Sequence, residues 1–397
     1  MTLYAESLRA FLAPVAPFLD DPNISEIMIN GPTDVWVEQA GRLYRTGAQF
    51  TEQGLVAAAR NLAQYVGRPL NEERPRLDAR LPDGSRVHVV LAPIARRGPA
   101  IAIRKFSSAM LSMDQLTQIG ATTPEAVRFI EAAVVCRKNI MVSGGTGSGK
   151  TTLLNCLSTF IPNEDRIITI EDSAELQLVQ EHLVPLEARP PDEKGRGEVT
   201  IRDLLHSSLR LRPDRILIGE VRGGEAFDLL QAMNTGHAGS MTTIHANSPI
   251  ESLSRLESLC LLAGFDLPLR AIRSQVAAAI DVIVCTSRLQ DGRRVWTHVT
   301  EVAPLDDRGD YRARDLFIYT QTGKGEDGSV VGYLSPTGLV PTFQGYLFAN
   351  GFTDLTEGFF QPETYGYTPP PYFSGQDAHG GGLTRSGTSP GMDPPAW

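Results

Sequence analysis

The chain has 397 residues, of which 42% are hydrophobic and 21% are charged. This length predicts two or three domains, and the composition excludes a disordered, collagen-like or membrane-embedded chain. The formal net charge of -9 disfavours a protein that its overall field steers onto nucleic acid, so we expect no direct nucleic-acid contact.

The cysteines and the apolar stretches bear on the compartment. The cysteines are widely spaced, as is typical of small buried residues in a reducing compartment; they are Cys136, Cys156, Cys260 and Cys285. The mildly apolar stretch 8–19 follows Glu6 and contains Arg9, so we predict no signal peptide. The apolar stretch 276–285 contains Asp281 and is too short to cross a bilayer, so we predict no transmembrane segment.

The amino-terminal region predicts a small α+β domain. Apolar residues at helical spacing lie within residues 2–20, and a second helix is predicted at 55–66. Short strands are predicted at 24–30, 35–38, 87–91 and 100–104. We therefore predict an N-terminal α+β domain over residues 1–106, followed by a polar linker over residues 107–123 that contains one short helix candidate at 113–119.

Helices and strands alternate in the second region, over residues 124–361. The predicted strands are 140–143, 167–170, 216–219, 241–244 and 282–286. This alternation predicts an α/β fold with a mostly parallel sheet and helices on both faces. Because ligands bind at the carboxyl ends of such strands, we expect the polar groups that follow the strands to converge on one site.

The stretch 144–152 follows the first of these strands and precedes a predicted helix. It reads Gly144, Gly145, Thr146, Gly147, Ser148, Gly149, Lys150, Thr151, Thr152. Strand, glycine loop and helix form the context of a Walker A phosphate loop, in which backbone amides converge on phosphate oxygens at a helix N-terminus. We expect Lys150 to reach the β and γ phosphates of ATP and Thr151 to ligate Mg²⁺.

Carboxylates follow the next two predicted strands. Glu171 and Asp172 end the strand 167–170, where Glu171 is a candidate general base and the pair is equally typical of a helix N-terminus. Glu220 ends an apolar run in the manner of a Walker B acid, which binds the Mg²⁺ shell or polarises water, although Gly219 interrupts the run.

Two histidines flank the strand 241–244. A lone histidine is usually structural, but His245 follows a strand that leads to the same crevice, where it could sense the γ phosphate. His237 lies about a strand's length away. Neither histidine has metal-ligand spacing with a partner.

The composition changes after residue 361. Residues 362–397 are rich in proline, glycine and tyrosine, which predicts a disordered tail, with a peptide that docks on a partner as the alternative.

Four segments together resemble a known family. The phosphate loop, 166–176, 209–226 and 236–247 look like the Walker A, Asp, Walker B and His boxes of the type II/type IV secretion traffic ATPases, in the family's order. Within that superfamily the sequence looks closest to the tight-adherence (Flp-type) pilus ATPases. The resemblance covers roughly residues 20 to 345.

The resemblance implies a RecA-like ATPase domain in a hexameric ring, on the cytoplasmic side of an inner-membrane platform protein with which it associates peripherally. It gives Glu171 the role of the water-activating carboxylate, Glu220 that of the Walker B acid, and His237 and His245 that of the His-box pair. It makes Arg104 and Arg86 the N-terminal-domain arginines that approach the nucleotide. The implied cofactors are ATP and Mg²⁺.

The implied function is ATP hydrolysis that powers assembly of a type IV-like pilus, with or without retraction, or protein secretion. One alternative within the family is a conjugation-type ATPase that serves DNA transfer. An alternative of another class is a nucleotide-binding regulator with little turnover, and the presence of both Glu171 and Glu220 speaks against it.

Overall fold

The computed structural model describes residues 8–81, 83–106, 111–192 and 194–370 of the chain. It divides into two compact units. Unit 1 comprises residues 1–112 and 288–294, and unit 2 comprises residues 113–287 and 295–397. Part of the predicted linker, 107–110, and most of the predicted tail, 371–397, lie outside the described residues.

Unit 1 is built on a six-stranded antiparallel sheet within the described residues, in the order β3-β2-β1-β6-β5-β4. The strands are β1 (Ile24–Ile29), β2 (Val35–Gln39), β3 (Arg42–Arg45), β4 (Arg76–Arg80), β5 (Arg86–Val90) and β6 (Ala100–Arg104). The helices are α1 (Ala16–Asp20) and α2 (Glu52–Tyr65), with a 3₁₀ turn at Ala13–Val15.

Helix α2 covers the sheet of unit 1. The Thr51 side chain caps it by accepting a 3.0 Å hydrogen bond from the Gly54 amide. Leu55, Ala58 and Leu62 recur at helical spacing and are fully buried against strand residues of the same core.

The segment 288–294 belongs to unit 1 although it is distant in sequence. Its Arg294 donates a 3.3 Å hydrogen bond to the Glu38 carboxylate at the end of β2, and Arg288 lies 3.7 Å from the same oxygen. Gly41 has a φ of +78°, and a Cβ atom there would lie 2.7 Å from the Gly292 carbonyl oxygen, so this contact requires a glycine.

Unit 2 contains a nine-stranded mixed sheet within the described residues, in the order β15-β14-β13-β12-β7-β11-β10-β8-β9. The six strands β12, β7, β11, β10, β8 and β9 pair in parallel with their neighbours. Strands β13, β14 and β15 extend the sheet with antiparallel pairs. The strands are β7 (Ile140–Gly144), β8 (Ile167–Glu171), β9 (Leu183–Glu187), β10 (Arg215–Ile218), β11 (Met241–Ile244), β12 (Val282–Arg288), β13 (Arg294–Ala303), β14 (Arg312–Lys324) and β15 (Val330–Pro336).

Helices cover both faces of this sheet, as the alternating sequence predicts. On one face lie α3 (Met113–Gln118), α4 (Pro124–Val135), α5 (Lys150–Ser158) and α10 (Gln344–Ala349); on the other lie α6 (Ile201–Ser208), α7 (Glu225–Asn234), α8 (Pro249–Leu261) and α9 (Leu269–Ala279). Successive strand residues point to opposite faces, so Met141 packs in one core and Val142 in the other. The fold class predicted from the sequence is confirmed.

Two segments near the predicted boundaries are structured. Helix α3 coincides with the helix candidate at 113–119 in the predicted linker, and its Met113 and Leu116 are buried in the core of unit 2. Beyond residue 361, Pro362–Tyr365 forms a 3₁₀ helix, and the Tyr367 ring stacks on Tyr333 of the edge strand β15 at 4.8 Å. The start of the predicted tail therefore packs against the sheet, because its tyrosines supply apolar surface that the composition argument did not count.

Within the described residues no helix combines the length and the apolar character needed to cross a bilayer. All four cysteines are buried and free.

Candidate active site

The glycine loop 144–152 connects the carboxyl end of β7 to α5, in the order that the sequence predicts. Gly147 and Gly149 have φ angles of +69° and +98°, a region open to glycine, and Gly149 is the N-cap of α5. The Lys150 ammonium donates 3.0 Å hydrogen bonds to the carbonyl oxygens of Gly144 and Gly145. The loop thus encloses its own lysine at a helix N-terminus, which is the arrangement that binds phosphate.

A buried hydroxyl network supports the loop from below. The Thr286 hydroxyl, on β12, lies 3.0 Å from the Ser148 hydroxyl. A Cβ atom on Gly144 would lie 2.3 Å from the Ser148 oxygen and 2.5 Å from the Thr286 carbonyl oxygen, so this position admits only glycine. The Ser143 hydroxyl donates a 3.0 Å hydrogen bond to the carbonyl oxygen of Ala246 and so connects the loop to the segment that follows β11.

Glu171 ends β8, which β11 and β10 separate from the loop strand β7 in the sheet, and it is buried. Its Oε1 atom accepts 2.9 Å hydrogen bonds from the amides of Glu175 and Leu176. Burial raises the pKa of Glu171, and the nearby carboxylates of Glu175 and Glu187 raise it further, while the two amide bonds oppose the rise. A carboxylate with a raised pKa is a better proton acceptor near neutral pH.

Gly219 makes room for this carboxylate. A Cβ atom on Gly219 would lie 3.1 Å from Glu171 Cγ, closer than carbon atoms normally approach. The glycine that follows the apolar residues of β10 is therefore explained by the side chain packed against it.

Glu220 follows Gly219 at the carboxyl end of β10. Its Oε2 atom accepts a 2.6 Å hydrogen bond from Arg222, and the same guanidinium lies 3.4 Å from Asp172. The contact with Glu220 is the main cause that raises the pKa of Arg222. The arginine thus joins the acids that follow two adjacent strands.

The two histidines lie at opposite ends of β11. His245 follows the carboxyl end and is partly buried on the side of the glycine loop. His237 precedes the amino end, where its amide bonds the carbonyl oxygen of Ala232 and its own carbonyl accepts from the Ser240 hydroxyl. Within this unit the structure therefore brings His245, and not His237, to the edge that carries the phosphate loop.

The two arginines predicted from the N-terminal domain lie in unit 1. Arg86 begins β5 and Arg104 ends β6, and they occupy directly paired positions on the two strands. Glu26 is the paired residue of Arg104 on the other side, in β1. The negative charge opposite Arg104 is thus the Glu26 carboxylate, and the two interact electrostatically.

Two residues that contribute to the site were not predicted from the sequence, Glu175 and Thr286. Glu175 Oε2 accepts a 3.2 Å hydrogen bond from the Thr151 hydroxyl, and the Thr286 hydroxyl lies against Ser148 of the loop. The sequence did offer an indication for Glu175, since it follows Glu171 by four residues in an acidic segment after the strand. It offered none for Thr286, because that residue comes from a strand distant in sequence.

These residues fit a magnesium–nucleotide. The glycine cradle and Lys150 suit phosphate oxygens, and the Thr151 hydroxyl with neighbouring carboxylates forms the oxygen donor set that Mg²⁺ prefers. The arrangement can therefore hold a nucleoside triphosphate with a carboxylate, Glu171, near its phosphates.

Comparison with known proteins gives a consistent result. The model of the family described as type II/IV secretion system protein matches residues 9–303. A Mycobacterium tuberculosis protein (strain H37Rv) whose name proposes a role in conjugal transfer is 38% identical over 296 residues, covering 73% of this chain and 83% of its own length. The type IV secretion system protein VirB11 of Bartonella henselae is 35% identical over 321 residues, covering 70% of this chain and 88% of its own length.

Among solved structures, the ATPase DotB of Legionella pneumophila superposes with a TM-score of 0.54 at 21% identity, covering 74% of this chain and 80% of its own. At that identity the likeness concerns the fold alone. The superfamily resemblance predicted from the four boxes is confirmed by the family match, whereas the Flp-type branch stays a prediction.

Proposed function

The chain belongs to the type II/IV secretion system protein family, and from this premise we propose that it is a motor that hydrolyses ATP to drive such a machine. One observation carries the proposal: hydrogen bonds link a complete phosphate loop, through Thr151 and Glu175, to a buried carboxylate, Glu171, whose pKa is raised. A protein that only binds nucleotide needs the loop and not the base, so this pair favours hydrolysis over a regulatory role.

The roles of the residues follow from their positions. The loop amides and Lys150 hold the β and γ phosphates, and Lys150 exchanges its bonds to the loop carbonyls for bonds to phosphate. Glu171 accepts a proton from the attacking water, and Gly219 keeps room for it. Glu220 polarises or orients that water, and His245 contacts the γ phosphate from the adjacent strand end. Thr151 and the neighbouring acids would hold Mg²⁺, which would supply positive charge to neutralise the phosphates.

The finer parts of the proposal concern assembly. We propose a ring of six copies that works on a platform protein of the inner membrane, since phosphate-loop motors couple hydrolysis to motion between domains and subunits. In such a ring Arg86 and Arg104 of unit 1 supply positive charge to the phosphates.

The cargo has two candidates. A pilus subunit or secreted protein agrees with the net charge of -9, which disfavours direct DNA contact. A role in DNA transfer is favoured by the relative at 38% identity, whose name proposes conjugal transfer. A deletion strain separates the two, because loss of pili or secretion with conjugation intact supports the first, and the reverse supports the second.

The test of the motor itself is Lys150→Ala. We expect it to abolish both ATP hydrolysis by the purified protein and the output of the machine in cells. The control variant is Lys138→Ala, which removes a lysine outside the loop that pairs with Asp281 just before β7 begins. The proposal fails if Lys150→Ala leaves hydrolysis and output intact.

A further inference from the structure

The Thr151 hydroxyl has a partner that the four boxes do not assign to it. Thr151 lies in the first turn of α5, next to Lys150, and its hydroxyl donates a 3.2 Å hydrogen bond to Glu175 Oε2. Glu175 lies in the segment that follows β8. Resemblance alone gives the acidic part of the cation site to Glu220, which follows a different strand.

The other acids of the site make different contacts. Glu171 receives two amides on Oε1, and Glu220 receives Arg222 on Oε2 at 2.6 Å. Both carboxylates are thus directed to partners other than Thr151. Glu175 contacts both Glu171 and Thr151. Its backbone amide donates a hydrogen bond to the Glu171 carboxylate, and its side chain accepts one from the Thr151 hydroxyl.

The electrostatics place the charge of Glu175 inside the same site. Its carboxylate raises the pKa of Glu171 and also raises the pKa of Arg222. Both the Glu171 carboxylate and the Arg222 guanidinium therefore lie within electrostatic range of Glu175.

A hydroxyl that donates its proton to a carboxylate turns its lone pairs away from that carboxylate. The Thr151 oxygen, held in this way by Glu175, is directed to accept a cation and becomes a better donor atom, because the hydrogen bond to a charged acceptor is strong. We propose that Glu175 is the positioning residue that orients Thr151 for the divalent cation of the nucleotide, in place of Glu220. This inference rests on the proposed function, since it presumes a magnesium–nucleotide in this site.

The test measures nucleotide binding rather than turnover. The affinity of the purified chain for a fluorescent ADP analogue is measured with Mg²⁺ and with EDTA, and the ratio of the two reports the contribution of the cation. We expect Glu175→Gln to reduce that ratio by about tenfold or more, as changes to the partners of metal ligands do, with the affinity in EDTA unchanged. Asp172→Asn is the matched control, since it removes a neighbouring charge that contacts Arg222 instead.

A double-variant cycle tests the route through Thr151. If Glu175 acts through the hydroxyl, Thr151→Ala combined with Glu175→Gln lowers the ratio no further than the worse single variant. The inference is overturned if Glu175→Gln keeps the wild-type ratio, if Glu220→Gln alone removes it, or if Glu175→Gln weakens binding equally with Mg²⁺ and EDTA. A wild-type protein that binds no nucleotide under either condition would instead sink the proposed function.

Discussion

Substitution of Gly219 by alanine tests whether the position of Glu171 governs hydrolysis. The added methyl group would lie 3.1 Å from Glu171 Cγ and 3.4 Å from Oε1. Carbon atoms normally approach to about 3.5–4.0 Å, so the side chain must retreat by about 0.5 Å. A misplacement of about 1 Å costs on the order of a hundredfold in rate, so we expect kcat to fall by about tenfold.

The assay separates this effect from damage to binding or folding. Steady-state ATP hydrolysis gives kcat, a fluorescent ATP analogue gives affinity, and thermal unfolding reports stability, which overpacking should lower by about 1–2 kcal/mol. Gly323→Ala in β14 is the control, because a Cβ atom there meets nothing within 4 Å. A Gly219→Ala protein that folds and keeps kcat within about twofold of wild type would refute the placement of Glu171 at the reacting water.

Three further predictions follow from other contacts. Asp165→Asn should lower the free energy of unfolding by about 3 kcal/mol in chemical denaturation, because it leaves the fully buried Arg215 without the carboxylate 2.7 Å from its Nε atom; an unchanged midpoint would contradict this. Glu187→Gln should move the acid limb of the kcat–pH profile to lower pH, since the negative charge of Glu187 raises the pKa of Glu171 and its removal lets that pKa fall; a limb that stays in place or moves upward would refute the assignment. His237→Ala should leave the affinity for a fluorescent ATP analogue unchanged in equilibrium titration, because His237 precedes β11 at the edge away from the phosphate loop; a large loss of affinity would contradict that placement.

The buried parallel strands could be predicted from the sequence with little error. Strands β7, β8, β10 and β11 are buried along their whole length and consist mainly of apolar residues and threonine, because a parallel strand covered on both faces has no polar side. Each of these four predicted strands agrees with the structure to within one residue at either end. Strand β14, from Arg312 to Lys324, was not predicted, because it is half exposed and its polar residues mask the alternation.

Contacts between distant segments could not be predicted. The assignment of residues 288–294 to unit 1 depends on pairing with Glu38 and Gly41, which no local pattern encodes. The bond between Thr151 and Glu175 depends on how the segment after β8 turns back toward α5, over a separation of 24 residues. Motif spacing locates the groups that carry chemistry, whereas the fold decides which of them touch.

The central claim is that this chain hydrolyses ATP at the glycine loop with Glu171 as the base. The most direct measurement is phosphate release by the purified wild-type protein beside Glu171→Gln, at saturating ATP. We predict steady turnover by the wild type and a loss of about a hundredfold or more in Glu171→Gln with ATP binding retained, because a general base contributes about 10²–10⁴-fold. Release by Glu171→Gln at the wild-type rate, or a wild type that binds ATP and releases no phosphate, would contradict the claim.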